Sequence, residues 1–322
     1  MTRLGYQIPN FTYPGIEPAQ TFDSVVAQAK EAEASGFDRV TVMDHFYQLP
    51  GIGAPDEAMF ECYTMLSALA QHTDSVRLSA MVTGNTYRNP AMLAKTVTAL
   101  DHASAGRATL AIGAGWYEEE HTAFGYEFGT FTDRFEKLEE ALQIIIPMLR
   151  GEQASLDGKH YTAVDAVNSP APISRVPIMI GGNGEKKTLR MVAQYADESN
   201  LVGLRDPSEI PRKLEALDQH CANLGRDRSE IKVTLLAAAN VAPTMEEAEA
   251  DLAALAERKG WPPQAIDMAK GMLVHGDPDT VGEGLSNLVV DGIDGLVISH
   301  MPGGHIPGRV ALLGEVAGKV LG

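Results

Sequence analysis

The chain has little cysteine, little positive charge and no long apolar run. Two cysteines, Cys62 and Cys221, stand among 322 residues. Each sits in a helix-like stretch without CxxC or metal-ligand spacing, which argues against a disulfide framework and for a reducing compartment. No apolar run approaches the length that a bilayer requires. The start, "MTRLGYQIPNF", lacks the apolar core of a signal peptide. A soluble, cytoplasmic protein is therefore expected. Basic residues number 26 against 43 acidic ones, a net charge of −17. That balance makes nucleic acid and anionic membranes poor partners, and the acidity reads as solubility. No linker or low-complexity tract divides the chain, so one domain over residues 1–322 is expected, although the length also accommodates two. The rest is ordinary globular composition, with 44% hydrophobic and 21% charged residues.

Short β-rich runs recur: "RLGYQI", "DRVTVMD", "VRLSAMVTG", "RATLAIGAG", "VPIMIGG", "ESNLVG", "IKVTLLAAANV" and "DGLVISH". Most are nearly continuous in apolar residues, as parallel strands buried on both faces are. Amphipathic stretches separate them. In "FEKLEEALQIIIPML", Leu138, Ala141, Leu142, Ile145 and Leu149 share one helical face. In "TFDSVVAQAKEAEASG", Phe22, Val25, Val26, Ala29 and Ala32 do the same, and Gly36 is a plausible stop. "EASGFDRVTVMDH" near the start echoes "VVDGIDGLVISHM" near the end. Repeated βα units with eight strand candidates predict an α/β fold, a (β/α)8 TIM barrel; a doubly wound open sheet is the alternative. Two segments break the rhythm. Trp116–Thr132 is aromatic and acidic, a candidate wall or lid, and Gly151–Arg175 carries a hairpin-like Asp-Gly turn.

In a barrel, chemistry collects at the C-terminal strand ends. Those ends are Asp44-His45-Phe46, Thr83-Gly84-Asn85, Gly113-Ala114-Gly115-Trp116, Gly181-Gly182-Asn183-Gly184 and His300. In "PIMIGGNGEKKTLR", glycines let backbone N–H groups approach an anion, and a helix N-terminus follows. Lys186, Lys187 and Arg190 add charge. The stretch reads as a phosphate cradle, but neither as a Walker A loop nor as a GxGxxG fingerprint. A tight βα turn with solvated lysines explains the same glycines. His45 can exchange protons near neutral pH beside Asp44. Equally, Asp44 can cap a turn and His45 can pack locally. His45, His300, His305, Asp44 and Asp277 show no HxH or HExxH spacing, so no metal is expected.

Taken together these runs resemble the luciferase-like monooxygenase superfamily, and most of all its branch that uses the deazaflavin coenzyme F420. The resemblance covers nearly the whole chain, through "LGYQIPNF", "GFDRVTVMDHF", "TGNTYRNPAMLAKTVTALDHASAGRATLAIGAGW", "RFEKLEEALQI" and "PIMIGGNGEKKTLRMVAQYADESN". It implies a bacterial-luciferase-like barrel whose cofactor lies at the C-terminal strand ends. Asp44 and Thr83 are then expected at the deazaflavin, Ala114 and Gly115 along it, and His45 beside the reacting ring carbon as the catalytic residue. The peptide around Ala80 and Met81 falls where that family often has a non-prolyl cis bond. Gly181, Gly182, Asn183, Gly184, Glu185 and Lys186 are expected around the cofactor's phosphate.

One departure bears on the substrate. The sugar-phosphate dehydrogenases of that branch carry a catalytic Glu directly after the GxG of the fourth strand, and here that position is Trp116. Glu118, Glu119 and Glu120 follow it. With Phe46, Trp116 is expected to line a substrate pocket for an apolar or carbonyl-bearing molecule. The acidic chain also has to supply a local basic groove for an acidic cofactor, from Lys186, Lys187, Arg190 and Arg88. The expected reaction is hydride transfer to or from a small organic substrate. An FMN-dependent monooxygenase of the same fold is the alternative; a cofactor-binding barrel without turnover and a metal-dependent hydrolase are more distant ones. A homodimer is expected from the resemblance alone.

Overall fold

The computed structural model describes residues 3–202 and 207–322. Eight parallel strands form its centre: β1 (Leu4–Ile8), β2 (Arg39–Val42), β3 (Arg77–Ala80), β4 (Leu110–Gly113), β5 (Ile178–Gly181), β6 (Glu198–Val202), β7 (Lys232–Val241) and β8 (Gly295–Ser299). All eight expected strands are present; Gly203, with which the sixth was expected to end, lies outside the described residues. The strands follow the order β3-β2-β1-β8-β7-β6-β5-β4, so the first and last in sequence are neighbours. Leu78 bridges Ala108, the Leu78 N–H donates to Arg107 O and the Thr109 N–H to Leu78 O, which brings β3 against β4. The two-residue strand Thr83–Gly84 continues β3 and pairs with Ile112–Gly113. The sheet thus closes on itself as a TIM barrel does.

Closure explains the apolar runs. Alternate residues, such as Tyr6, Val40, Leu78, Leu110, Ile178, Leu235 and Ile298, join the main core under the helices. The intervening residues face the barrel axis, where Met81, Ala111, Met179 and Val297 make a second, small cluster. Helix Phe131–Leu149 lays Leu138, Ala141, Leu142, Ile145 and Leu149 into the main core, the face read from its periodicity. It opens with a capping box between Thr130 and Asp133. Helix Thr21–Ala34 ends just before Gly36, at φ +86°, as its sequence suggests.

The repeated "G-x-D" element has a structural task. Asp38, just before β2, accepts from the Leu4 N–H at the start of β1. Asp294, before β8, accepts from the Val233 N–H of β7 at 2.9 Å. Asp197, before β6, does the same for Ile178 of β5 at 2.8 Å. Each carboxylate satisfies a strand-end donor that the ladder leaves over.

Two additions lie outside the ring. Ala154–Asp157 and Thr162–Ala166 form the antiparallel hairpin expected from the Asp-Gly turn. Between β7 and β8 the chain inserts helices Met245–Lys259 and Pro263–Lys270 and strand Val274–Gly276, which pairs with the end of β7. The sequence reading did not resolve that insertion.

At the N-terminal end of the barrel axis, Arg39 and Glu198 form an ion pair of 2.9 Å with both side chains fully buried. Removing one partner leaves an uncompensated buried charge. Glu198→Ala is expected to lose about 3–5 kcal/mol in a denaturant titration, whereas the double variant Arg39→Met/Glu198→Leu is expected to recover most of that loss.

Candidate active site

The C-terminal strand ends gather the chemistry. β2 delivers Asp44, His45 and Phe46. Asp44 is buried, and its carboxylate is fully engaged: it accepts from the Gly84 N–H at 2.9 Å and from both Arg88 nitrogens at 2.7 and 2.9 Å. Arg88 also holds Glu61 at 2.7 Å and lies over the Tyr63 ring. The expectation that Arg88 faces an acidic cofactor tail is therefore corrected, because a buried carboxylate claims its charge. Thr83 is fully buried and shares a 2.7 Å hydrogen bond with Tyr63. Ala80 and Met81 are buried at the end of β3. The non-prolyl cis bond joins Met81 to Val82, one residue beyond the expected peptide. It lies where β3 stops, between the Met81 N–H donated to Val42 O and the resumption of pairing at Thr83.

His45 is held by Glu120, to which the sequence alone assigns no role. Glu120 lies in helix Glu118–Phe124, inside the segment expected to be a wall or lid. Its carboxylate is fully buried. One oxygen accepts the Phe46 and Tyr47 backbone N–H groups, the latter at 2.9 Å. The other contacts His45 Nδ1 at 2.8 Å and accepts the Tyr87 hydroxyl at 2.5 Å. Burial alone pushes this carboxyl up, but the hydrogen bonds from His45, Tyr87 and the backbone outweigh it and hold it below the ordinary range. The sequence signal was present: in "WYEEEH", the third Glu falls on the inner face of the short helix, beside buried His121. That histidine contacts Tyr117 O through Nδ1 and Thr86 Oγ1 through Nε2, and burial lowers its pKa.

Aromatic rings surround His45. Trp116 stands edge-on at 5.8 Å between centroids, is stacked on Tyr117 at 5.2 Å, and is 59% exposed. Phe46 packs on Tyr87, Phe124 and Tyr126. Tyr117, Glu118, Glu119, Thr122 and Ala123 line an open cleft of about 550 Å³ next to this cluster.

The glycine turn follows β5. Gly182 adopts φ +129°, which side chains disfavour, and a Cβ on Gly181 would stand 2.9 Å from Val82 Cγ1. Asn183 ties the turn to β6, donating to Val202 O and accepting the Val202 N–H. Among the described residues no protein acceptor takes the backbone N–H groups of Gly184, Glu185 or Lys186. Helix Thr188–Tyr195 follows directly. Glu185 is paired with Lys213 at 2.7 Å and Arg212 at 3.1 Å, which offsets its charge beside the turn. Arg190 is drawn away by Glu139, and Lys187 sits over Phe131 and Phe135. Lys186 stays exposed. Free amides, a helix N-terminus and one cation fit a phosphate group. Ala114 and Gly115 continue β4 between these two halves of the mouth.

His300, the echo of His45, has a different environment. It is buried, contacts Val241 O through Nε2 at 3.0 Å and accepts the Gly303 N–H. Burial lowers its pKa to about 4, so it is a neutral packing residue at physiological pH. Among the described residues the one cluster with metal-like spacing is Asp133, Glu136 and His160, and Lys159 already pairs with both carboxylates.

The family model for luciferase-like monooxygenases matches residues 2–295. An F420-dependent glucose-6-phosphate dehydrogenase of Microbacterium testaceum is 30% identical over 251 residues, covering 77% of this chain and 70% of that one. A 5,10-methylenetetrahydromethanopterin reductase of Archaeoglobus fulgidus is 28% identical, covering 87% and 76%. In structure, an F420-dependent secondary alcohol dehydrogenase, solved with an F420-acetone adduct, superposes with a TM-score of 0.81 at 22% identity, covering 100% and 99%.

The depressed Glu120 carboxyl gives a pH signature. A group whose folded pKa lies below its unfolded value contributes stability above the unfolded pKa, about 4.3 for Glu, and loses it as pH falls through the folded one. Glu120→Gln is expected to be less stable than wild type at neutral pH. The gap should close below about pH 4 in denaturant titrations run across pH.

Proposed function

The chain belongs to the luciferase-like monooxygenase family, and from that premise we propose as its reaction the transfer of a hydride between coenzyme F420 and a small organic substrate. It is an F420-dependent oxidoreductase. The observation that carries the substrate-side reading is the pairing of His45, one ring nitrogen held by a buried carboxylate, with an aromatic wall at the C-terminal strand ends.

When bound, the deazaflavin supplies a hydride donor or acceptor. The chain's own residues do the rest. The amides of Gly184, Glu185 and Lys186, with Gly181, Gly182 and Asn183 shaping the turn, hold its phosphate. Ala80, Met81, Thr83, Ala114 and Gly115 line its ring, and Asp44 fixes the adjoining loop through Arg88 and Gly84. His45 gives or takes the proton that accompanies the hydride.

Two features favour a carbonyl compound or activated alkene over a sugar phosphate. Trp116 offers apolar ring surface beside His45, and Phe46 belongs to the adjoining aromatic cluster. Glu118 and Glu119 line the adjoining cleft, and like charge opposes a phosphate there. A single cytoplasmic barrel domain acting as a homodimer completes the proposal, supported by the resemblance alone; among the described residues no helix is long and apolar enough to cross a membrane.

Fluorescence titration of the purified protein with F420 and, separately, with FMN tests the cofactor assignment. Tight binding of F420 alone is expected, weakened by high salt and at least about fivefold by Lys186→Glu. Preference for FMN, with oxygen-dependent turnover, would instead indicate a monooxygenase. With F420 bound, a small ketone should be reduced and glucose 6-phosphate left unoxidised; the opposite outcome refutes the substrate assignment.

A further inference from the structure

We propose that Glu120 is a positioning residue: it keeps the proton of neutral His45 on Nδ1, so that Nε2 is the nitrogen that exchanges a proton with the substrate, and Tyr87 holds Glu120 in that role. The inference rests on the proton-transfer role given to His45 above.

The geometry allows little else. The Glu120 carboxylate is fully buried and contacts four donor groups: the Phe46 and Tyr47 amides, the Tyr87 hydroxyl and His45 Nδ1. An ionised carboxylate only accepts, so the hydrogen in the 2.8 Å contact belongs to Nδ1. The hydrogen bonds that lower the Glu120 pKa keep it ionised at neutral pH. The two amides belong to the residues directly after His45, so one carboxylate fixes both the backbone that carries the imidazole and the imidazole itself. A rotation of the ring about its axis would forfeit the Nδ1 contact. Nε2 is left with its lone pair, on a side chain that is 13% exposed beside Trp116.

The proton step then balances simply. As substrate oxygen gives up its proton, the O–H bond breaks and an N–H bond forms at Nε2, and the accompanying hydride goes to oxidised F420. The imidazolium charge that results faces an ionised carboxylate across the Nδ1–H. In the reverse direction the same Nε2–H is returned. Other titratable groups facing this pair are Tyr87, whose phenol is pushed up by burial and by Glu120, and Tyr117, raised by burial and Glu119. Tyr47 and neutral His121 complete the surroundings, with the Asp44–Arg88 ion pair behind Tyr87. None of them supplies a second carboxylate to Nδ1.

Two measurements on the intact protein decide the matter. Nitrogen-15 NMR of histidine-labelled protein, without cofactor, should find the neutral His45 protonated at Nδ1. In Glu120→Gln that preference should be lost. Steady-state kinetics with F420 should show kcat falling at least about tenfold in Glu120→Gln, with F420 affinity within about twofold and the His45 limb of the pH profile moved to lower pH. Tyr87→Phe keeps the carboxylate, so it should change the same readouts in the same direction by a smaller factor, even where Glu120→Gln folds poorly. A wild-type proton on Nε2, or an unchanged pH profile in both variants, would overturn the proposal. Unchanged turnover in His45→Phe would defeat the proton-transfer role instead, while the NMR result would still judge the tautomer.

Discussion

A parallel sheet closed into a ring leaves no strand face in water, and most features of this protein follow from that constraint. Outward residues must be apolar to meet the helices, as Tyr6, Val40, Leu110 and Ile298 do. Inward residues must fill the narrow axis. Met81, Ala111, Met179 and Val297 do so, with the Met179 sulfur against Arg39. At the N-terminal end an Arg–Glu pair does so, at a desolvation cost that only their mutual contact offsets. Because every strand runs the same way, every strand's C-terminal end opens at one mouth. Residues as distant in sequence as His45, Trp116 and Gly181 thereby become neighbours in function.

The mouth combines two kinds of surface. The turn after β5 offers amides that no described residue accepts, at the start of a helix, which suits an anion. The loops after β2 and β4 offer rings and a histidine, which suits an apolar reactant. The division of labour is electrostatic. The cations near the turn are mostly committed to carboxylates or rings, and among the described residues no carboxylate pairs with exposed Lys186. The carboxylates on the substrate side differ in what stabilises their charge: Glu119 at the cleft accepts the Tyr117 hydroxyl, whereas a buried carboxylate is kept ionised by hydrogen-bond donors. Glu120 illustrates the second case, since four donors meet it where water cannot.

The eight strands, the amphipathic helices and the hairpin were legible because each is written locally. Continuous apolar runs report two buried faces, and a 3.6-residue period reports one. The strand-end list was legible for the same reason, once a barrel was assumed. The insertion between β7 and β8 was missed because Met245–Lys259 is mostly charged and alanine-rich, a weak helical stripe that the sequence reading did not separate from its surroundings. The role of Arg88 was misjudged because the sequence displays a cation and does not display the buried Asp44 that claims it.

By itself, then, the sequence determined the alternation of strands and helices, the strand ends where chemistry collects, and the glycine turn that can approach a phosphate. These depend on residues close together in the chain. Tertiary structure decided which of three consecutive glutamates reaches His45, which cations are claimed by carboxylates, and that the two echoing histidines differ, one held by a carboxylate and the other by main-chain groups. Those outcomes depend on contacts across tens of residues, where a carboxylate's partner is set by burial and geometry rather than by its neighbours in sequence.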